Sequence, residues 1–260
     1  QDLHAELGME AVTKSTNCAP KPTGKAQSHY ANVIDWFHKS GGCSKSGIKE
    51  GHKYQTIWEI NQQANQLAHY LISKDVQPGE TIALNLPIGS QFFIAMLATN
   101  KVGAAIMPVD IEQTDKALAH ILDEASPRII FNQTLFEQIR LEDYPSEIPT
   151  VSIAPEDTAC ILYIANNRET HRRVNISHKA LLNHMTEMLT TFDFSAQDVF
   201  LQQTFPETEE TLWQWWVPLL LGANMTIFPN QMIEEEELAT YISRDRVSVL
   251  QLPSDKLVTQ

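Results

Sequence analysis

The stretch "TIWEINQQANQLAHYLISKDVQPGETIALNL", Thr56 to Leu86, joins one helix to one strand through a short turn. Thr56 followed by Glu59 has the spacing of a capping box, in which each side chain satisfies a backbone N–H that the first helical turn leaves unpaired. Ile57, Ile60, Ala64, Leu67, Ala68 and Leu71 then recur at helical spacing on one face. "PGE" at 78–80 turns the chain, and "TIALNL" at 81–86 reads as a strand. A one-faced helix delivered directly into a buried strand is the repeating unit of an α/β protein.

The unit recurs on either side. A helix from Ser90 to about Lys101 precedes a strand at 104–109, a helix over about 112–125 and a strand at 128–132. After a less regular region to about 157 come a strand at 159–164, a helix over about 178–190 and a strand at 199–203. A Trp-rich helix at about 208–221, a strand at 224–228, a helix at 233–245 with carboxylates in its first turn, and a strand at 247–252 close the series. Strands separated by helical crossovers predict mostly parallel sheets flanked by helices. Upstream, Val33, Ile34, Trp36 and Phe37 make a short amphipathic helix. "GGCSKSGIKEG" at 41–51 follows a helix rather than a strand and reads as a flexible surface loop. Residues 1–28 read as a linker or N-terminal arm and 29–260 as one domain, with a break near 140–155 that suggests two stacked subdomains.

Composition bounds the function. The chain has 260 residues, 43% of them apolar, and 19 Lys and Arg against 32 Asp and Glu give a formal charge of −13, which disfavours nucleic acid or an anionic membrane as partner. No apolar run is long enough to span a bilayer, and the first ten residues lack a signal-peptide pattern, so a cytoplasmic protein is the expectation. The first residue, Gln1, suggests a piece of a longer chain or a processed product. Three cysteines without a C-x-x-C pair, and nine histidines without H-E-x-x-H, predict neither a disulfide framework nor a metal site. G-x-S-x-G, G-x-G-x-x-G and G-x-x-x-x-G-K-[ST] are all absent. "GGCSKSGIKEG" apart, the natural place for a phosphate loop is the strand-to-helix junction "ILYIANNRETHRRVNISHKA", 161–180, which contains no glycine.

"YQTIWEINQQANQLAHYLISKDVQPGETIALNLP", "NKVGAAIMPVD", "ISHKALLNHM", "WVPLLLGANMTIF" and "RVSVLQLPS", in that order and spacing, resemble the N-terminal half of a nonribosomal peptide synthetase adenylation domain, in the adenylate-forming ligase superfamily. The resemblance runs from about residue 30 to the chain end and implies a truncated adenylate-forming-ligase-like core. Members convert an amino or aryl acid and Mg-ATP to an acyl-adenylate, then load it onto a carrier-protein thiol.

Two of the family's chemical motifs diverge here. Where the family has a loop like Y-T-S-G-[ST]-T-G-x-P-K-G-V, this chain reads "YIANNRETHRRV", 163–174. Ile164 and Ala165 replace hydroxyl donors, Asn166 and Glu169 replace glycines around Asn167 and Arg168, and His171 replaces proline. Arg172 and Arg173 fall on Lys and Gly. Glycine lets backbone N–H groups turn onto phosphate oxygens. Glu169 instead brings a charge whose repulsion, about 4 Å from an anion at an effective dielectric of about 20, is of order 4 kcal/mol. The guanidinium groups of Arg168, Arg172 and Arg173 could fork onto oxyanions in place of the cradle. In the second motif, resembling F-D-A-S-V-W-E, the resemblance places Glu209 on the Asp that binds the substrate ammonium, Glu210 on a small pocket residue, and Trp213 as a pocket remnant. Packing inward of Trp213, Trp215 and Trp216 is the structural alternative.

The family's ribose-binding Asp, adenine-contacting segment, hinge and catalytic Lys have no counterpart before Gln260. The resemblance therefore implies a catalytically inactive, truncated adenylation-like domain, without cofactor, acting as a scaffold in a synthetase of a siderophore or other secondary metabolite. Its partners would be neighbouring synthetase domains, above all a condensation domain, and also a carrier protein. The alternatives are an adenylating domain that uses Mg-ATP and is completed beyond residue 260, and a regulatory domain that binds nucleotide.

Overall fold

The computed structural model describes residues 30–109, 115–165, 171–202, 212–228 and 235–251. The expected arm at 1–28 lies outside them, as do the beginnings expected for the helices near 112 and 208. The elements are α1 (Val33–Lys39), β1 (Gly47–Glu50), β2 (Lys53–Thr56), α2 (Ile57–Ser73), β3 (Thr81–Asn85), α3 (Ser90–Lys101), β4 (Ala105–Pro108), α4 (Asp115–Ala125) and β5 (Ile129–Asn132). Then come α5 (Gln133–Gln138), β6 (Thr158–Ala165), β7 (His171–Ser177), α6 (His178–Thr191), β8 (Val199–Gln202), α7 (Leu212–Leu221), β9 (Asn224–Ile227) and α8 (Glu235–Asp245).

Local chemistry places the helices. The Thr56–Glu59 capping box is formed in both directions, with Glu59 N donating to Thr56 Oγ1 at 3.1 Å and Thr56 N to Glu59 Oε2 at 2.8 Å. Asn32, Asn132 and Ser177 cap α1, α5 and α6 more simply, each side chain accepting from the backbone N–H three residues on. The apolar face of α2 named above is buried from Ile57 to Leu71.

One sheet has the order β5-β3-β4-β6-β7, parallel except for β7, which returns antiparallel beside β6. The other has the order β2-β1-β9-β8, with β1, β9 and β8 parallel and β2 antiparallel at the edge. The fold is thus α/β with mixed, mostly parallel sheets flanked by helices. The chain does not change sheet at 140–155, because β5 and β6 both belong to the five-stranded sheet. That segment, with a 3-10 turn at Leu141–Asp143, covers α2 instead, where Asn65 and Gln66 donate to the carbonyls of Ser146 and Tyr144.

Three expectations are corrected. The glycine-rich 41–51 is not a flexible surface loop, since it contains β1, an interior strand whose Ile48 is fully buried. Gly41 and Gly42 are buried, and a Cβ on Gly41 would sit 1.6 Å from the Leu219 carbonyl oxygen, so glycine is there for close approach. β7 occupies a stretch read as the run into a helix; Val174 and Ile176 were too sparse a pattern to announce it. The strand expected at 247–252 reduces, among the described residues, to a single parallel bridge from Val249 to Phe200.

Helix α3 is buried at every residue from Phe92 to Lys101. The Lys101 ammonium donates to Asn61 Oδ1 at 2.9 Å and to His38 Nε2, and lies 5.6 Å from the centre of the Phe37 ring. Burial pushes Lys101 from 10.5 down to about 7, and burial, helped by the Lys101 charge, holds His38 down to about 4. Among the described residues no helix is long and apolar enough to cross a membrane.

The Lys101 shift fixes a sign for stability against pH. Between about 7 and 10.5 the unfolded chain binds a proton that the folded chain does not, so stability rises with pH across that window. The limit for one proton is about 1.4 kcal/mol per pH unit. Urea unfolding at steps from pH 7 to 10 is expected to show this rise in the parent chain and a flatter profile in Lys101→Met; equal slopes would refute it.

Candidate functional site

In open α/β sheets ligands gather at the carboxyl ends of the strands, where loops and helix N-termini converge. Here β6 ends at Ala165 and pairs back through β7, the last matched residues being Ala165 and His171. The last described residues of β6 and the first of β7 stand at the carboxyl end of β6 in the five-stranded sheet. Of the divergent phosphate-loop positions, Asn166, Asn167, Arg168 and Glu169 lie outside the described residues, as do Glu209 and Glu210. Ile164, Arg172 and Arg173 are described. Arg172 lies opposite Ile164 and Arg173 opposite Tyr163 in the hairpin register.

Arg172 and Arg173 are both exposed, and Arg173 Nε donates to Asn175 Oδ1 at 3.1 Å. Ile164 is partly buried against the core. Burial raises the Tyr163 phenol, with the Glu124 charge adding to this and Arg173 opposing it. Its hydroxyl makes no hydrogen bond of good geometry to either neighbour. This cluster of Glu124, Tyr163 and Arg173 joins α4 to the hairpin, and nothing in the sequence order announces it.

Beyond β7, Ser177 caps α6 with Ala180 N donating to its Oγ at 3.1 Å, which starts the helix immediately after the strand. His178 follows, fully buried, with no hydrogen-bond partner for either ring nitrogen among the described residues. Burial drives it down to about 4 against the opposing pull of Asp157, so it is neutral at pH 7. Its backbone N–H donates to the Asp157 carbonyl at 2.9 Å, tying the start of α6 to the strand entry of β6.

Trp213 is placed among aromatic rings. It stacks on Phe194 with centroids 5.6 Å apart and planes 12° from parallel, and Phe194 meets Phe200 at 5.5 Å. Trp215 meets Phe92 of α3 at 4.7 Å, and Trp216 is fully buried. All three tryptophans pack inward, as the structural alternative anticipated. The neighbouring Gln214 links two elements: its carbonyl accepts from Gln202 Nε2 at 2.6 Å, and its Nε2 donates to Gln251 Oε1 at 2.5 Å. These buried amides were not singled out in the sequence, because their pairing needs contacts between residues 12 and 37 apart. Among the described residues no group of three or more His, Cys, Asp or Glu side chains is placed to hold a metal ion.

The sequence model of a family described as AMP-binding enzyme matches residues 43–173, half of the chain. Over 253 residues the chain is 26% identical to a dimodular nonribosomal peptide synthase of Bacillus subtilis (strain 168), covering 86% of this chain and 11% of that protein. Among solved structures it is similar to the N-terminal subdomain of NpsA from Klebsiella oxytoca, with a TM-score of 0.72 at 20% identity, covering 84% of this chain and 60% of that one. It is also similar to NpsA-ThdA, an artificially fused adenylation-PCP di-domain from the same organism, with a TM-score of 0.73 at 21% identity over 86% of this chain and 44% of that one. The structural likenesses establish the fold.

If Trp213 serves packing, Trp213→Ala should cost about 3–5 kcal/mol in urea unfolding. Arg172→Ala and Arg173→Ala, at exposed positions, should stay within about 0.5 kcal/mol of the parent. A Trp213→Ala chain of unchanged stability would contradict that placement.

Proposed function

The chain belongs to the AMP-binding enzyme family, as an adenylation-like N-terminal segment of the nonribosomal peptide synthetase kind, and from that premise we propose that it is a non-catalytic scaffold between neighbouring synthetase domains. One observation carries the reading. The β6–β7 hairpin that brackets the phosphate-loop segment is formed and its surroundings are packed, yet the segment it brackets contains no glycine and includes Glu169. Without glycine the backbone amides lack the freedom to converge on phosphate oxygens, and the Glu169 carboxylate adds a charge of the same sign as the polyphosphate. Transition-state stabilisation in acyl-adenylate formation relies on preorganised donors around the developing phosphate charge, so this change falls on the largest catalytic contribution.

In this reading the segment acts through its shape. A folded core of this size fixes the separation and orientation of the domains joined to it, and conserving the packing is sufficient for that. The proposed neighbours are a condensation domain and a carrier protein, the latter because the chain shares its fold with an adenylation-PCP di-domain. The proposed setting is the cytoplasm and a pathway to a siderophore or other secondary metabolite.

A second reading draws on Arg172 and Arg173, whose exposed side chains stand at the base of the same tip. There they would take the phosphates of Mg-ATP in place of the glycine cradle, and the domain would adenylate an amino or aryl acid.

Pyrophosphate exchange decides between the two. In the longest native polypeptide that contains this segment, with any other adenylation domain inactivated, the scaffold reading expects background exchange for every amino and aryl acid offered. Exchange that depends on one acid, and that Arg172→Ala or Arg173→Ala abolishes, would establish the second reading.

A further inference from the structure

A second cleft lies on the four-stranded sheet, away from the β6–β7 hairpin. It has a volume of about 420 Å³ and is lined by Lys49 of β1, His52 at the turn, Lys53 and Tyr54 of β2, and Tyr241 and Arg244 of α8. Its lining holds three permanent cations, a histidine and two phenol rings, on a chain whose formal charge is −13. Such a concentration of one sign opposes the average field of the molecule, and it focuses anions where the rest of the surface repels them.

The arrangement is built. The Asp245 side chain, 1% exposed, is gripped by Lys49 and by two Arg244 donors, Nε to Oδ1 and Nη2 to Oδ2, both at 2.9 Å. The guanidinium hydrogen bonds from Arg244, opposed by burial, hold the Asp245 carboxyl down at about 2, so the pair stays ionised throughout the neutral range. Arg244 also lies 4.1 Å from the centre of the Tyr241 ring, which fixes its plane. One carboxylate thus orients two cations without cancelling both.

Besides Asp245, two acids on β1 and α2 are engaged elsewhere. Strand register puts Glu50 opposite Lys53 and on the other face from Lys49 and Tyr54, but its carboxylate is turned to the start of α3, where Oε2 accepts from Ser90 N at 3.3 Å, and Lys53 still lines the cleft. Glu59 is engaged in the capping box at Thr56. Lys53 and His52 have no ion pair with any described residue, and both are exposed. Tyr54, 54% exposed, forms the outer wall, its hydroxyl donating to Asn224 Oδ1 at 3.0 Å.

We propose that this cleft docks an acidic peptide segment of a partner protein, its carboxylates meeting Lys53, His52 and Arg244 and its backbone lying across the Tyr54 and Tyr241 rings. An extended segment fits better than an enclosed metabolite, because Lys53 and Tyr54 of the edge strand β2 form one wall, and among the described residues the outer side of β2 is unpaired in the sheet. The site is independent of nucleotide and of whether the chain adenylates.

The test uses fluorescence anisotropy of a labelled hexaglutamate peptide with the 260-residue chain, and hexaglutamine as the neutral control. Saturable binding of hexaglutamate alone is expected at about 0.1 M salt. It should weaken steeply at about 1 M, where the Debye length shrinks from about 10 Å to about 3 Å. Lys53→Glu and, separately, His52→Glu should each weaken it at least about tenfold, equivalent to about 1.4 kcal/mol. Lys179→Glu, an equal charge change on α6, should leave it unaltered. Absence of saturable binding, or equal loss in Lys179→Glu, would overturn the proposal. Displacement of the peptide by inorganic phosphate at equal concentration would also overturn it, by making the cleft a small-anion site. Thermal melts of each variant separate lost binding from lost fold.

Discussion

Helix α3 has no solvent face beyond its first two residues, so every side of it must be supplied by another part of the chain. A helix apolar all round is stable in water only when fully covered, and the cover here comes from α1, α2, β3, β4 and the Trp215 ring of α7. Its last residue, Lys101, then enters the interior and must find acceptors. Asn61 and His38 provide them, and Asn61 Nδ2 in turn donates to the Gly42 carbonyl at 3.1 Å. That chain of obligations draws the glycine pair against α2 and, with Gly41 tight against Leu219, sets the path into β1. One buried helix thereby connects the N-terminal elements to the sheet completed by β8 and β9, strands that lie far along the sequence.

What the sequence disclosed follows from how local each signal is. The α2 cap and face, the turn at 78–80, the buried strands β3 and β4 and the helix α6 all carry their determinants within a dozen residues, and each stands where periodicity put it. β1 does not, because its meaning is nonlocal: with Ile48 as its apolar anchor and β9 as its partner, it looks like a loop until the distant strand is in place. β7 is an edge strand rich in polar residues, and an exposed edge requires little of the hydrophobic alternation by which strands are recognised. At the candidate site the unusual composition of 164–173 was visible at once. The Glu124, Tyr163 and Arg173 cluster and the Gln202, Gln214 and Gln251 amides depend on side chains meeting across elements, which no spacing rule encodes.

Packing and chemistry place different demands on this chain. The helix caps, parallel register and aromatic stacking around Trp213 and Phe194 are those a stable adenylation-like core requires. The sequence between β6 and β7 contains no glycine, although the hairpin itself is formed. A fold retains its shape through many weak contacts spread over the core, whereas a phosphate site depends on a few backbone conformations, so the second can be lost while the first persists. The basic cleft on the four-stranded sheet lies outside that contrast, since its charges serve neither the core nor the nucleotide edge.

Titration of the 260-residue chain with Mg-ATP in a calorimeter, together with a melting curve at saturating nucleotide, tests the central claim most directly. A ligand that binds the folded state must stabilise it, by about 2.7 kcal/mol at a hundredfold excess over its dissociation constant. The account predicts a cooperative melt that nucleotide leaves in place and no saturable heat. Saturable heat accompanied by a higher melting temperature would contradict it, and would return the hairpin tip to service as a phosphate site.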